Sequence, residues 1–167
     1  GAFASRGIRA NHVTSCHSLE SIQHNITHFI RNRFLTKHFI CDGSTIQKLI
    51  VAKNHIPAVK TTVVHNGIDP DDMKRDPEQR KKIRKEFSVT DDEILIGNTG
   101  RMVRFKGQRT LISAFRSVAD HVKNVKLVIV GDGELRLELI EYSRILRLED
   151  KVIFTGFRDD LKAVYSA

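Results

Sequence analysis

The sequence predicts an α/β protein with parallel sheets flanked by helices. Three observations carry this expectation. Short apolar runs recur along the chain, and several end in glycine, as in Ile94-Leu-Ile-Gly97, Leu127-Val-Ile-Val-Gly131 and Val152-Ile-Phe-Thr-Gly156. Between them lie stretches with apolar residues at helical spacing, and strands alternating with helices imply right-handed crossovers in a parallel sheet. The third is composition: 167 residues at 40% apolar content suffice for a packed core rather than a disordered segment.

In chain order, residues 12–16 read as a strand and residues 19–35 as a helix. Residues 38–41 form another short strand. Ser44 is placed to cap a helix that runs to about Asn54 and carries Ile46, Leu49 and Ile50, and Pro57 stops it. Residues 61–64 form a strand closed by Asn66-Gly67. The polar segment that follows, with Pro70 and Pro77, reads as a linker rather than the return arm of a hairpin. The predicted division is therefore 1–67, then 68–93 as linker and basic helix, then 94–167.

The last segment is the most regular. Ile94 to Gly97 is a buried strand, and residues 108–122 set Leu111, Ile112, Phe115, Val118, Ala119 and Val122 on one helical face. Residues 126–130 are a second strand, ended by Gly131-Asp-Gly133. Leu135, Leu139, Tyr142 and Leu146 mark a second helix, and residues 151–155 a third strand. Asp159 and Asp160 suit the start of a third helix.

The net charge is +8, and seven basic residues fall between Lys74 and Lys85. Such a run reads first as a solvated helix face and second as a docking element for an anionic membrane surface. Nucleic acid is not expected, because no aromatic interleaving or binding motif accompanies the charge. Cys16 and Cys41 have neither metal-ligand spacing nor a disulfide framework and read as small core residues in a reducing compartment. No apolar run is long enough to cross a bilayer, no secretory pattern opens the chain, and the expected location is cytoplasmic. The start Gly1-Ala-Phe-Ala, without methionine, suggests that the natural N-terminus lies elsewhere.

The chemistry concentrates in the loop after residue 97. Strand, glycine and basic loop followed by an amphipathic helix is how an α/β protein builds a cradle for phosphate, with helix-start N–H groups facing the anion. Arg101 and Lys106 can add charge from two sides, arginine as a planar fork and lysine as a point charge. The Gly131-Asp132-Gly133 turn shares the same carboxyl rim, where open parallel sheets bind ligands. His17 and His65 each follow a predicted strand and can donate a hydrogen bond or exchange a proton. Glu141 and Glu149 read as exposed helix-face residues.

Taken together, Val63-Val-His-Asn-Gly-Ile-Asp69, Gly100-Arg-Met-Val-Arg-Phe-Lys-Gly107, Lys126-Leu-Val-Ile-Val-Gly-Asp-Gly-Glu-Leu135 and Lys151-Val-Ile-Phe-Thr-Gly-Phe157 resemble the group 1 glycosyltransferases, retaining enzymes of the GT-B fold. The resemblance is dense over residues 62–167 and thinner before. It implies two partial Rossmann-like domains facing across a cleft. It also implies a nucleotide-diphosphate-sugar donor, held mainly by the later domain, and a saccharide or lipid-linked acceptor, with no cofactor and no metal. By position, Arg101 and Lys106 would hold the diphosphate, Gly100 would admit the backbone, and the turn Gly131, Asp132, Gly133 would lie near the nucleoside. The stretch reaching Phe157 would border the base. Thr14-Ser-Cys-His-Ser18 resembles the segment whose histidine points toward the transferred sugar, which makes His17 a catalytic candidate with Arg101 and Lys106. The family's glutamate pair and its N-terminal glycine loop have no counterpart in this chain, and the spacing of Glu141 and Glu149 lacks the family's context. The chain is therefore expected to be an internal fragment, silent in catalysis by itself. Surface polysaccharide or lipopolysaccharide assembly is the implied setting. Two other readings stay open from sequence: a sugar-nucleotide epimerase of the same architecture, and a non-catalytic nucleotide-binding or interaction module.

Overall fold

The computed structural model describes residues 11–17, 26–71 and 73–167. Two compact units divide the chain, Gly1–Ile68 and Asp69–Ala167.

In the first unit, β1 (His12–Cys16), β2 (Thr36–Cys41) and β3 (Thr61–Val63) form a parallel sheet in the order β1-β2-β3. Register pairs Cys16 with Cys41 and Cys41 with Val63, so the three carboxyl ends are level. Helix α1 (Ile26–Ile30) continues as a π-helical turn, Arg31–Leu35, directly into β2. The early part of the helix expected over residues 19–35 lies outside the described residues. Helix α2 (Ser44–Asn54) buries Ile46 and Ile50 against Phe39, Cys41 and Ile56. Ser44 is not its cap. Gly43 holds that position, and no side chain bonds the first-turn amides.

In the second unit, β4 (Ile94–Thr99), β5 (Val125–Val130) and β6 (Val152–Gly156) form a parallel sheet in the order β4-β5-β6. Central β5 is buried on both faces, which is why it reads as a continuous apolar run. Alternation divides its side chains. Leu127 and Ile129 pack with Ile112, Phe115 and Leu139 of α4 (Gln108–His121) and α5 (Arg136–Ile145). Val128 and Val130 pack with Ile83, Phe87, Ala163 and Val164 of α3 (Pro77–Glu86), its C-cap and α6 (Leu161–Ser166).

The basic helix α3 therefore packs Ile83 against the sheet and, as expected, keeps Lys81, Lys82 and Lys85 on a solvated face. Asp76 caps it by accepting from Glu78 N and Gln79 N at 2.9 and 3.2 Å, and Pro77 opens it. Arg84 departs most from the solvated-face expectation. It is buried and donates to the carbonyls of Ala167 at 2.9 Å, Glu93 at 2.7 Å and Thr90. Asp160 stands at the N-cap of α6, but its carboxylate bonds Arg158 instead of the helix amides.

Candidate functional site

The carboxyl ends of β4, β5 and β6 carry loops that interlock. Gly100 N donates to Val130 O and Met102 N to Asp132 O, both at 2.9 Å. Leu135 N returns to Met102 O at 3.1 Å, and Gly131 N reaches Gly156 O at 2.8 Å. Glycine is required here by approach. A Cβ on Gly131, at φ 131°, would stand 2.1 Å from Gly100 O, and one on Gly133 would stand 2.5 Å from Met102 O. These two glycines thus let the β5 loop press against the β4 loop.

That contact fixes Arg101. Its carbonyl accepts from buried Gln108 Nε2 at 3.0 Å, and the next residue, Met102, is fully buried in the α4/α5 core. The guanidinium is left exposed, with no carboxylate in ion-pair range among the described residues. A cavity of about 420 Å³ opens beside it. Of the residues expected to hold a donor, Gly100, Arg101, Gly131, Asp132 and Phe157 line this cavity; Lys106 and Gly133 do not. Gly133 is occupied with the loop contact, and its N–H also donates to Asp132 Oδ1 at 2.7 Å.

The expected cradle is divided in two. Because Met102 plugs into the core, Arg101 falls on one side and residues 103–107 on the other. A second, more polar cavity of about 430 Å³ opens at the start of α4, lined by Arg104, Gly107, Gln108, Arg109 and Glu138 among others. The helix-start amides therefore border that cavity rather than the one Arg101 lines. The α4 start has no side-chain cap and no acidic residue in its first turn, so its dipole still favours an anion. Lys106 lines neither cavity. It is exposed, with its ammonium 5.7 Å from the Phe105 ring centroid.

Sequence reasoning missed Thr99, Arg158 and Leu161 in the first cavity. Arg158 is clamped. Asp160 accepts from it at 2.7 and 2.6 Å, Glu86 from α3 accepts from two of its nitrogens, and its guanidinium lies 5.4 Å from the Phe87 ring centroid. These bonds, those to Asp160 first, raise its pKa above the ordinary arginine value. With that charge compensated, Arg101 is, among the described residues, the cavity's free cation, set against the Asp132 carboxylate and the apolar surfaces of Val130, Leu161 and Phe157. The signal for Arg158 was present: a cation two residues past the glycine that ends β6, followed by two aspartates.

On the first sheet's carboxyl rim, His17 follows β1 and Asp42 follows β2. His17 Nδ1 stands 3.5 Å from Asp42 Oδ2, and the ring is 65% exposed. His65 Nδ1 lies 3.2 Å from Asp42 O. The topology thus gathers both flagged histidines around one aspartate. The neighbouring thiols of Cys16 and Cys41 are free and are pushed up from their ordinary value, by burial first. That leaves them poor nucleophiles near neutral pH. Among the described residues no group of histidine, cysteine and carboxylate side chains is arranged to hold a metal ion.

Parallel three-stranded sheets flanked by helices, with the candidate side chains collected on their carboxyl rims, define a Rossmann-like α/β protein. Within that class, the chain belongs to the glycosyl transferases group 1 family, whose pattern it matches over residues 79–167. Across 97% of its length it is 29% identical to MJ1607 of Methanocaldococcus jannaschii, described as an uncharacterized glycosyltransferase, and covers 43% of that protein. It is 32% identical over 100 residues to a Mycobacterium tuberculosis GDP-mannose-dependent phosphatidylinositol monomannoside mannosyltransferase, matching 60% of this chain and 26% of the relative. The Anabaena protein Alr3699/HepE, solved in complex with UDP and glucose, aligns over the whole chain with TM-score 0.84 and 27% identity, and 47% of it is covered. The chain spans less than half the length of each of these relatives.

Proposed function

We propose that the protein transfers a sugar, with retention of anomeric configuration, from a nucleotide-diphosphate sugar to a saccharide or lipid-linked acceptor. The observation that carries the reading is the uncompensated Arg101 guanidinium at the lip of a largely apolar cavity on the carboxyl rim. An apolar wall with a single free cation suits a flat nucleobase and sugar whose phosphates extend toward the charge. Breaking the sugar–phosphate bond leaves negative charge on the departing diphosphate, and a fixed cation there stabilises the transition state more than the ground state. Lys106, on the mobile end of a long side chain next to the uncapped start of α4, supplies the second charge. In this reading the two cations balance the diphosphate without a metal, and His17 remains the catalytic candidate of the first unit.

The names of the relatives support the donor class. The Anabaena protein was also solved with UDP-glucose, and the mycobacterial relative is named for GDP-mannose. Surface polysaccharide assembly is the setting we favour, since an Escherichia coli relative 28% identical over 111 residues is named for O-antigen biosynthesis. We further propose that the reaction takes place in the cytoplasm, with the protein peripheral at the inner face of the membrane. Calorimetric titration of UDP and GDP into wild type, Arg101→Ala and Lys106→Ala tests the site. Each variant is expected to lose tenfold or more in affinity, about 1.4 kcal/mol or above. Unchanged affinity in both would remove the donor assignment.

A further inference from the structure

The second cavity, at the start of α4, has no part in the donor-site reading. Buried Met102 separates it from Arg101, and its volume of about 430 Å³ is that of a small-molecule site.

Its lining combines three kinds of polar group. The first is backbone. The opening amides of a helix have no partner within it, and at α4 the N-cap is Gly107, so no side chain bonds them. The second is cationic, since Arg104 and Arg109 both border the cavity. Arg109 is held from two sides. Glu138 of α5 accepts from it at 2.9 Å, and the centroid of the Tyr142 ring lies 3.8 Å from its guanidinium carbon. The hydroxyls of Ser113 and Tyr142, 2.7 Å apart, tie the same two helices together. This wall is in place before any ligand arrives.

The third is an orphan. Gln108 lines the cavity, yet it is only 2% exposed. Its Nε2 donates to Arg101 O at 3.0 Å, so Oε1 is the branch left to the cavity. That oxygen is buried and meets no donor among the described residues. A buried acceptor without a donor is costly, and a ligand hydroxyl would supply one.

No simple ligand answers all three. An ionised phosphate suits the amides and the arginines but only accepts, so it offers Gln108 nothing. A neutral sugar suits Gln108 and leaves the helix start and Arg104 unused. We propose that this cavity binds a phosphorylated polyol, a sugar phosphate or similar monoester. Its phosphate sits at the start of α4 beside Arg104, and one of its hydroxyls donates to Gln108 Oε1. The inference does not depend on the donor-site reading, because binding is read with no nucleotide present.

The test titrates glucose 6-phosphate, inorganic phosphate and glucose into isotope-labelled protein and follows the backbone amides by NMR. Glucose 6-phosphate should move the amides of Gln108, Arg109 and Thr110 and bind about fivefold more tightly than inorganic phosphate. Glucose should bind most weakly. A soluble phosphodiester headgroup, glycerophosphoinositol, should bind less tightly than the monoester, having one charge fewer for the helix start. Arg104→Gln should weaken glucose 6-phosphate about tenfold. Glu138→Gln should strengthen inorganic phosphate roughly threefold, because a repelling carboxylate is gone. Gln108→Met should erase the advantage of the ester over inorganic phosphate. Arg101→Ala, beyond Met102, should leave these affinities unchanged. Binding lost in Arg101→Ala would assign the phosphate to the first cavity and overturn the proposal. So would no shift at residues 108–110, an ester no tighter than inorganic phosphate, or a preference for the diester. None of these outcomes bears on the nucleotide titrations, which Arg101→Ala and Lys106→Ala decide.

Discussion

The two sheets share strand order and strand sense, yet their carboxyl edges are built differently. In the second unit the rim is braced by backbone. Four main-chain hydrogen bonds and two glycine contacts lock the loops after β4 and β5 before any side chain is considered. Among the described residues of the first unit, the rim carries two main-chain bonds, Asp42 N to Cys16 O at 3.4 Å and Val64 N to Cys41 O at 2.8 Å, and otherwise the side chains of His17, Asp42 and His65 brought together by strand register. A braced rim can hold a cation in a set direction without spending ligand-binding energy to order it. A rim of side chains can reorient.

Glycine substitution should break this contrast most sharply. Gly131→Ala sets a methyl group against Gly100 O in a backbone conformation that L residues avoid, and should cost about 3 kcal/mol or more. Gly67→Ala, with nothing within 4 Å of the new carbon, should stay within about 0.5 kcal/mol. Chemical denaturation of each variant measures both, and equal losses would show that the brace is no stiffer than an ordinary loop. Next in size is Arg84→Met, which keeps the volume but deprives three carbonyls of their donor. The expected cost is about 2–3 kcal/mol, read from the same denaturation curves.

Much of this architecture was legible in the sequence because it rests on local periodicity. The apolar run of β5, the face of α4 carrying Leu111, Ile112 and Phe115, and the turn glycines each follow from one stretch of chain. What escaped was decided between stretches. That Gly133 serves Met102, and that Met102 separates Arg101 from the α4 start, depends on two loops meeting. Within the charge run on α3, Arg84 escaped for the same reason. Only the tertiary structure shows that it lies under the chain end. Arg101 and the turn at Gly131 and Asp132, read from sequence as donor-binding, line the first cavity, since strand ends and glycines mark a rim wherever it folds.

The smallest expected effect concerns the clamp on Arg158, a feature of the second rim. Hydrogen bonds from Arg158 hold the Asp160 carboxyl below its ordinary value. A carboxyl depressed in the folded state stabilises the fold above its unfolded value, near 4. That contribution is lost as pH falls through the lower folded value. Asp160→Asn should therefore melt at a slightly lower temperature than wild type at neutral pH, and the two should converge as pH falls below the lowered folded value. The difference should be modest, since the Asp160 side chain is 39% exposed and solvent screens the pair. Melting curves that run parallel across the whole acid range would mean that Glu86 alone secures Arg158. The second rim would then owe its rigidity to backbone and glycine, with no share from this ion cluster.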